Sequence, residues 1–587
     1  MVRDDSARSL HVSRRAVLAG GATAAAAASS GCAARLQSIL NRDAQQQISL
    51  SIKTVPADND RGAIRIARTV ADNLNAVGVD AQVQPMAPAE LLRDVLINHN
   101  FELYVARFPG DRAGDPDFLR PLVHSRFGGE PGWQNPFGFA DLDVDDLLQG
   151  QQTSSGTTRG TAVDRLQRSV VRSQPFAVLA MPDDISAVRD DRFEGWTDYR
   201  LTDPLRYLDL SPNVDATTAR VAITDGRVTQ NLNPLAVEYR GEGTVLDLIY
   251  DPLVRPVDGE GVPWLADRIT WDGSGDSQSA VVELREGLEW HDGTSLSAAD
   301  VSFTYQFLND TTMTGEDAGA VPAPRYRGEA SLVEDASAQG AGEVAIDFVT
   351  ASRPVARRAL TVPVFPRHVW RERTDTVSGA GQTTEAVIWE NPQPVGSGPF
   401  QFQSRSAGQR IRLSRYDGHF LRTGTDHPFS GAPAYRELVF LVAPSSLSAV
   451  EFVAASEADA TGTSLQPRAV PRIGRESGVE LSAQPSRSFY HIGFNARNAP
   501  LSNPNFRRAT ARLVDKGEVV SEVFDGYATP AVSPLEGTDW LASDLAWNGE
   551  DPEVPFFGAG GDLDEPAARA AFRDAGFQYD DEGRLVR

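Results

Sequence analysis

Residues 284–305, LREGLEWHDGTSLSAADVSFTY, decide the fold of this chain. Asp292-Gly293 is typical of a tight turn between extended segments. Ser297 is a good helix N-cap because its side-chain oxygen can accept a backbone N–H, and Asp300 falls in the first turn, where a carboxylate suits the helix dipole. The stretch therefore predicts a strand, a turn and then a helix.

The same stretch resembles the signature of the family 5 extracellular solute-binding proteins, which are the dipeptide, oligopeptide and nickel binders of ABC importers. In two later blocks that also resemble the family, 455–459 and 566–576, Ser456 and Phe572 stand where the family has Gly and Leu. The resemblance implies an α/β fold, a two-lobed periplasmic-binding-protein-like clamshell of type II and of the peptide-binder subgroup. Further blocks resemble the family in its own order: 232–234, 249–254, 263–266, 395–400, 455–459, 490–495, 503–509, 514–516, 566–576 and 580–583.

The front of the chain predicts a parallel sheet. Apolar residues recur at strand, helix and strand spacing, and a β-α-β unit forces its two strands to run in parallel. The predicted strands and helices alternate at 48–54, 61–77, 79–83, 87–98 and 101–106. Ligands of open α/β sheets sit beyond the carboxyl ends of strands, so we expect a site in the loop 107–119.

Residues 48–180, at the front of this chain, also resemble the C-terminal portion of family members, which in the family's order would come after residues 580–583. After the acidic turn at 580–583, the family continues with a strand, a helix, an Ile-Gly-Val turn and a Trp-x-Gly-Asp loop. No such features follow Arg587, and similar ones stand at 48–54, 63–74, 77–79 and 108–111, with family order continuing through 135–145 and 175–180. We therefore predict a circular permutation; the alternative is two incomplete, unrelated pieces fused by chance.

The permutation predicts how the two lobes are assembled. Lobe I is residues 181–490, with a linker at 211–219 that ties the old end to the old beginning. Lobe II combines residues 48–180 with residues 491–587. The hinge strands are expected at 176–180 and 491–495. Chain termini commonly lie close together at the surface, so such a rearrangement breaks few contacts.

The first 47 residues predict export and anchoring. Residues 1–32 have the charged-then-apolar order of an export signal, and their apolar run is too short to span a bilayer. Arg14 and Arg15 resemble the twin-arginine signal, whose route carries folded proteins. Cys32, the only cysteine, ends a lipobox-like stretch and is predicted to carry a lipid, with residues 33–47 as a tether. The alternative for Cys32 is a buried, unreactive thiol.

The charge and composition of the chain limit the kinds of partner that we expect. The net charge is -24, and of 56 basic residues only Lys53 and Lys516 are lysine. An acidic surface with arginine in place of lysine suggests adaptation to high salt, where self-repulsion is screened. No basic stripe exists to neutralise phosphates, so we expect no nucleic-acid partner. A chain of 587 residues should divide into at least two domains.

The resemblance also suggests ligand contacts. In peptide-binding members, the aspartate matching Asp111 pairs with the ligand's N-terminal ammonium, and the aromatic residue matching Phe108 packs beside it. The alternative for Asp111 is a turn with solvated carboxylates. Asn233 and Thr244 stand where family members approach the ligand, and a plain strand-and-turn role is the alternative. No arginine can be chosen for a ligand carboxylate.

No catalytic or metal-binding pattern accompanies these blocks. There is no H-E-x-x-H and no G-x-S-x-G, so we predict no enzyme, no cofactor and no metal site. His419 and His427 flank Asp426 without metal-site specificity, and a surface loop is favoured there. Asn309 begins a glycosylation sequon.

We predict a monomeric, extracytoplasmic lipoprotein at the cell surface, anchored to the membrane at Cys32. It would capture peptides or similar small solutes by hinge closure and deliver them to the permease and ATPase subunits of an ABC importer. Two alternatives stay open: a nickel or metal-chelate binder of the same family, and a surface sensor or adhesion protein that keeps the clamshell.

Overall fold

A computed structural model describes residues 46–110, 114–213, 215–240, 243–315, 319–377, 383–424 and 426–586. Three names are used below: the front segment is residues 46–180, the middle segment is 181–490 and the back segment is 491–586. Arg14, Arg15, Cys32 and Asp111, which carry four of the sequence predictions, lie outside the described residues.

Short strands and helices alternate along the described chain. The strands are β1 (Ser49–Thr54), β2 (Asp80–Pro85), β3 (Leu103–Phe108), β4 (Phe176–Val188), β5 (Phe193–Glu194), β6 (Ser211–Pro212), β7 (Thr218–Ile223), β8 (Val254–Val257), β9 (Glu260–Pro263), β10 (Ala266–Ser274), β11 (Ser277–Leu284), β12 (Val333–Ala338), β13 (Glu343–Phe348), β14 (Phe400–Ser406), β15 (Arg410–Arg415), β16 (Glu437–Val442), β17 (Ala460–Thr461), β18 (Glu480–Pro485), β19 (Phe489–Phe494), β20 (Ala528–Pro530), β21 (Gly558–Ala559), β22 (Asp562–Leu563), β23 (Gln578–Tyr579) and β24 (Leu585–Val586). The α-helices are α1 (Arg61–Ala76), α2 (Pro88–Leu96), α3 (Leu119–Val123), α4 (Leu142–Thr153), α5 (Gly156–Ser173), α6 (Leu205–Leu208), α7 (Thr244–Asp247), α8 (Ala298–Asn309), α9 (Arg327–Ala330), α10 (Arg353–Ala356), α11 (Arg367–Trp370), α12 (Glu385–Ile388), α13 (Phe420–Thr423), α14 (Ser446–Ala454), α15 (Val470–Ile473), α16 (Pro504–Ala511), α17 (Lys516–Glu518) and α18 (Glu565–Asp574). None of the helices in these ranges combines the length and apolar character needed to cross a bilayer.

The stretch that decides the fold forms the predicted elements. β11 ends at Leu284, the turn contains Gly293 at φ +81°, and α8 begins after Ser297. The Ser297 backbone N–H donates to Asp300 Oδ2 at 2.9 Å, which satisfies a donor at the helix start. The strand, turn and helix are therefore confirmed.

The turn at 395–400 packs against this stretch and requires its glycines. His291 Nδ1 accepts from the Gly396 backbone N–H at 3.3 Å, and its Nε2 lies 2.9 Å from the Gly398 carbonyl oxygen. A Cβ at Gly396 would come within 1.9 Å of the Ile249 carbonyl oxygen. Three blocks that resemble the family thus meet at one place, and only glycine fits there.

The front of the chain forms the predicted parallel unit. β1 pairs in parallel with β2 and with β3, and α1 crosses between β1 and β2. Helix α1 buries its apolar stripe, including Ile66, Val70 and Leu74, against the sheet. The predicted β-α-β unit is confirmed.

The largest sheet runs through all three segments. Within the described residues its strands follow the order β14-β15-β16-β7-β17-β4-β19-β3-β1-β2, and β18 and β20 also pair with β4. The long strand β4 joins the two parts: its first half is antiparallel to β19 and its second half is antiparallel to β18. The predicted α/β class is confirmed, and the structure adds that the large sheet is mixed.

The apolar core divides in the same way as the sheet. One cluster is built from the middle segment between Val188 and Ala460. A second cluster combines the front and back segments, so that Ile52 and Val70 share a core with Phe506 and Phe572. A chain of this size exceeds one hydrophobic core, and the division follows the crossing strand.

The two ends of the described chain lie together. The Ile48 backbone N–H donates to the Leu585 carbonyl oxygen at 2.8 Å, and the Leu585 N–H donates to the Gly78 carbonyl oxygen at 2.7 Å. Gln47 forms an isolated bridge with Val586. Residues around 47 and 586 are therefore neighbours in the fold.

The predicted linker at 211–219 contains regular structure. Residues 211–212 form β6, which pairs with β5, and β7 begins at Thr218. Between them, the Asn213 backbone N–H donates to the Arg192 carbonyl oxygen at 2.9 Å. The described part of this connection is tied to the body of the protein at both ends.

Both lysines are buried and paired. Lys53 is 7% exposed and its Nζ lies 2.6 Å from Asp94 Oδ2; Lys516 is 4% exposed and its Nζ lies 2.6 Å from Asp551 Oδ2. Removing one partner of a buried pair leaves an uncompensated charge. Each of the two lysines therefore neutralises a carboxylate in the protein interior.

Candidate functional site

A cavity of about 200 Å³ lies beside β4, where this strand passes from one part of the sheet to the other. Its walls come from all three segments. The lining is Asn59, Asp60, Arg61, Gly62, Arg65, Arg107, Pro182, Asp183, Ile185, Tyr490, the loop 464–468 and the segment 523–525 with Tyr527. We call this space the crossing cavity.

Asp60 is held at the start of α1. It is the N-cap residue, and its Oδ1 accepts from the Ala63 backbone N–H at 3.0 Å. The Tyr490 hydroxyl lies 2.8 Å from Oδ2 and 3.0 Å from Oδ1. Burial raises the pKa of Asp60, against the opposing effects of these hydrogen bonds and of Arg107. The carboxylate is thus fixed by β19 and by its own helix.

Arg107 is paired across the wall of the cavity. Its Nη2 donates to Asp184 Oδ1 at 2.8 Å, and its Nε donates to Ser488 Oγ at 2.5 Å. Asp184 has a side chain only 7% exposed. The pair joins the front segment to the second half of β4, and it balances the charge of the guanidinium.

Asp183 differs from its neighbours because its carboxylate makes no hydrogen bond and no ion pair with any other part of the chain that the structure describes. Its backbone is held on both sides: the N–H donates to the Tyr527 carbonyl oxygen at 3.0 Å, and the carbonyl oxygen accepts from Ser464 Oγ at 3.3 Å. Burial, followed by the nearby Asp184, raises the pKa of Asp183.

Charges of both signs complete the lining. Arg61, Arg468 and Asp525 line the crossing cavity and are exposed, whereas Asp60 and Asp183 lie partly buried in it. The arrangement offers carboxylates and guanidiniums to one small ligand. A zwitterionic solute carries groups that complement both.

None of the three described residues that the sequence predicts as ligand contacts, Phe108, Asn233 and Thr244, lines this cavity. Phe108 is 2% exposed and stacks on Phe489 at 4.8 Å and against Trp133 at 4.9 Å. It belongs to an apolar cluster, while Arg107, the preceding residue on β3, lines the cavity. Adjacent strand residues point to opposite faces of the sheet, which is why the two separate.

The loop after β3 approaches the residues that precede β19. A Cβ at Gly110 would come within 2.9 Å of the Ser488 backbone nitrogen. Asp111 follows, outside the described residues. Asp115 has a structural role, since its carboxylate accepts from the Asp117 backbone N–H at 2.9 Å and from Arg159 Nη1 at 2.9 Å.

Asn233 and Thr244 are used within the middle segment. Asn233 is fully buried, and its amide donates to the carbonyl oxygens of Ala386 at 2.7 Å and Trp389 at 2.8 Å. The Thr244 hydroxyl donates to the Thr202 carbonyl oxygen at 3.0 Å. Neither residue lines the crossing cavity.

The expectation of a surface loop around His419 is wrong. His419 is 2% exposed, and its Nε2 lies 2.8 Å from Asp251 Oδ2. Asp251 also accepts from Trp264 Nε1 at 2.7 Å, so the histidine completes a buried polar network. Across the described ranges, no group of three His, Cys, Asp or Glu side chains is arranged to hold a metal ion.

Sequence reasoning missed Asp60, Arg107 and Asp183. Asp60 could have been found as the residue that caps α1, and Arg107 as the first residue of the predicted site loop 107–119. No local sequence pattern marks Asp183 as a lining residue, because the cavity beside it is formed by loops that are distant in sequence.

The sequence profile of the bacterial extracellular solute-binding proteins, family 5 Middle, matches residues 260–586. The chain belongs to this family. The match covers more than half of the chain and includes the signature at 284–305, the cavity-lining stretches 464–468 and 523–527, and β19. The family membership expected from the sequence is confirmed.

Two curated relatives have names that state a ligand. This family 5 protein is 25% identical over 308 residues to the oligopeptide-binding protein AppA of Bacillus subtilis (strain 168), covering 51% of this chain and 48% of that protein. It is 24% identical over 300 residues to the dipeptide-binding protein of Escherichia coli (strain K12), covering 49% of this chain and 51% of that protein. The chain spans about half the length of these curated relatives.

Solved structures give similar matches. AppA of Bacillus subtilis, in complex with a nonapeptide, has a TM-score of 0.43 at 19% identity and covers 62% of this chain and 65% of that chain. NikZ of Campylobacter jejuni, in complex with Ni(L-His), has a TM-score of 0.42 at 17% identity and covers 64% of this chain and 66% of that chain.

Proposed function

We propose that this family 5 protein captures peptides or similar small solutes in the crossing cavity and delivers them to the permease of an ABC importer. The observation that carries the proposal is a cavity walled by all three segments, beside the crossing strand, with carboxylates and guanidiniums in its lining. A zwitterionic peptide matches that charge distribution. The names of AppA and of the dipeptide-binding protein point to the same class of solute.

Capture would proceed by hinge closure around β4 and β19. Strand β4 crosses between the two parts of the sheet, β19 is antiparallel to its first half, and the cavity borders both strands. A ligand shifts a protein toward its closed form only through contacts that the open form lacks. Walls contributed by different segments provide such contacts, and the permease would recognise the closed form.

The two lobes in this proposal are lobe II, residues 48–180 with 491–587, and lobe I, residues 181–490. The shared core of the front and back segments supports this division, as do the pairing of β3 with β19 and the Ile48 to Leu585 hydrogen bond. A circular permutation of a family 5 chain accounts for all three. It also accounts for a family profile that matches only residues 260–586.

The export route and the anchor complete the proposal. Arg14 and Arg15 would direct the folded protein out of the cytoplasm, and a lipid on Cys32 would hold the monomer at the membrane near the permease and ATPase subunits. The support is the order of charged, apolar and small residues in 1–32. The protein would bind and release its solute without chemical change, as a substrate-binding component and not as an enzyme.

Isothermal titration calorimetry with a pool of di- and tripeptides tests the proposal. We expect saturable binding to the wild-type protein. We also expect Asp111→Ala to abolish measurable binding while the fold stays intact, because a stranded ammonium in a closed cleft costs about 3–5 kcal/mol. Asp146→Ala, on the exposed side of α4, is the control. Unchanged affinity in Asp111→Ala would remove the assigned role of Asp111, and no binding by the wild type would remove peptide capture.

A further inference from the structure

Two short helices from different segments of the chain pack on each other outside the crossing cavity. Helix α3 belongs to the front segment and α9 to the middle segment. Arg120, which is only 1% exposed, donates through Nη2 to the Gly328 carbonyl oxygen at 2.8 Å and to Ser331 Oγ at 2.9 Å. A Cβ at Gly328 would come within 2.7 Å of Pro121 Cγ, so the helices meet without a gap at this point.

The contact extends beyond these two helices. Gln134, which is buried, donates through Nε2 to the Pro324 carbonyl oxygen at 3.2 Å, and a Cβ at Gly132 would come within 1.9 Å of the same oxygen. The Ser352 backbone N–H donates to the Gln152 carbonyl oxygen at 2.8 Å. Backbone groups of the middle segment are thus hydrogen-bonded by the front segment, and separating the segments here would require water to replace these bonds.

Two ion pairs cross the same boundary. Glu130 of the front segment accepts from Arg327 Nε at 3.1 Å, and the fully buried Asp117 lies 2.6 Å from Arg358. Pairs that are buried or partly buried are screened by salt much less than exposed ones. Breaking one of them by removing a partner leaves an uncompensated charge. The two pairs therefore resist separation of the segments.

Every bonding partner in this contact belongs to the chain, so the contact needs no solute in order to form. With the lobe boundaries proposed above, the chain passes between the lobes at β4 and β19. A hinge at these strands leaves the lobes free to separate elsewhere unless other contacts hold them. Contacts that exist only in the closed arrangement shift the equilibrium toward it, whether a ligand or the protein supplies them.

We propose that residues 117–134 and 151–152 form a clasp with residues 323–331 and 350–358, which the protein closes by itself and opens to admit a solute. The inference rests on the lobes and hinge of the proposed function and goes beyond them, because closure then begins from the chain's own contacts. A solute that binds the closed form gains affinity as the population of that form rises. Its association is limited by the opening of the clasp.

Amide hydrogen exchange of the full-length protein tests the clasp without any solute. Two adjacent amides bond to different segments. The Ala351 N–H donates to the Asp276 carbonyl oxygen at 2.8 Å within the middle segment, whereas the Ser352 N–H donates across the boundary to Gln152. Exchange at Ser352 therefore reports opening of the clasp, and exchange at Ala351 reports local unfolding of the middle segment. Mass spectrometry with electron-transfer fragmentation resolves the two amides.

Gly328→Ala is designed to wedge the clasp open. Gly328 lies in α9, in a backbone conformation that alanine also adopts, and the atoms nearest to the added methyl group are those of Pro121 in the other lobe. Gly160→Ala, in α5 with open space around its Cα, is the matched control. Glu130→Gln is a second, milder variant, because it removes the charge that pairs with Arg327 and adds no bulk.

In the wild type, we expect Ser352 to exchange at least tenfold faster than the buried Ile346 amide of β13, since the clasp opens without global unfolding. Gly328→Ala should raise exchange at Ser352 at least tenfold and change exchange at Ala351 less than twofold. Glu130→Gln should act in the same direction by a smaller factor, and Gly160→Ala should change neither amide.

Equal exchange at Ser352 in the wild type and Gly328→Ala, or a parallel rise at Ala351, overturns the inference. Exchange at Ser352 as slow as that at Ile346 in the wild type also overturns it, because the contact would then be a permanent part of the fold. If Gly328→Ala does not fold, Glu130→Gln decides by the same comparison of Ser352 with Ala351. Peptide binding plays no part in these measurements, so calorimetry judges the proposed function separately.

Discussion

The guanidinium of Arg358, in the middle segment, lies 2.6 Å from Oδ2 of Asp117, a fully buried carboxylate of the front segment. Arg358 also contacts Glu329 at 2.9 Å, and Gln151 donates to Asp117 Oδ1 at 2.6 Å. The Arg120 Nε lies 3.5 Å from Asp117 Oδ1. This network connects the two parts of the protein at a place outside the crossing cavity.

Arg358→Met should weaken the contact between these two parts. Asp117 would keep only Arg120 as a cation, and breaking a buried ion pair typically costs about 3 kcal/mol of the free energy of unfolding. If the pair helps to hold the closed arrangement, the radius of gyration of the ligand-free protein should also rise. Urea denaturation and small-angle X-ray scattering measure the two quantities. Arg268→Met, which breaks an exposed pair with Glu283, should change neither.

The burial of His491, on β19, predicts that the protein loses stability in mild acid. Burial lowers the pKa of His491 to about 3, whereas an unfolded histidine titrates near about 6.5. The unfolded state therefore binds a proton that the folded state does not, and the contribution of His491 is complete above about pH 6.5 and lost as the pH falls toward 3. Lowering the pH from 7 to 5 should cost about 2 kcal/mol through this residue.

Urea denaturation of His491→Gln at pH 7 and pH 5 checks this prediction. The variant should lose about 2 kcal/mol less than the wild type between the two pH values. Tyr104→Phe, which removes the hydroxyl 2.8 Å from His491 Nε2 but keeps the imidazole, should retain the pH dependence. Equal losses in wild type and His491→Gln would contradict the assignment.

Gly396→Ala should destabilise the middle segment. The new Cβ would come within 1.9 Å of the Ile249 carbonyl oxygen, so the backbone must shift, at a cost of about 1–3 kcal/mol. Gly150→Ala, in α4 with open space around its Cα, should instead be neutral or raise the free energy of unfolding by up to about 1 kcal/mol. The thermal midpoints of the two variants test this prediction. Equal midpoints would show that the turn at 395–400 can shift to accept the extra methyl group.

A chain with restored family order should fold. Residues 219–587 would be followed by a short linker and residues 46–210, and the Ile48 to Leu585 hydrogen bond places the new junction between neighbours. Joining close ends costs little loop-closure entropy, so we expect a free energy of unfolding within about 2 kcal/mol of that of the natural order. Circular dichroism and denaturant titration measure it. An unfolded product would count against the permutation.

Local features of this fold could be predicted from the sequence, and long-range ones could not. The Ser297 cap and the β1-α1-β2 unit follow from spacings of a few residues, which act wherever the segment lies. His419 was misjudged because its partner, Asp251, is far away along the chain. Asp183 could not be predicted as a lining residue, since the cavity beside it exists only when Ser464 and Tyr527 reach β4.

The burial of Lys53 and Lys516 has a practical consequence for anyone who handles this protein. Since these are the only lysines, the described surface presents no primary amine. Dyes supplied as succinimidyl esters, aldehyde fixatives and amine-coupled sensor chips should react poorly with these two lysines in the folded protein and readily once it is unfolded. Carboxylates, which are abundant on the outside, are the better handles for attachment.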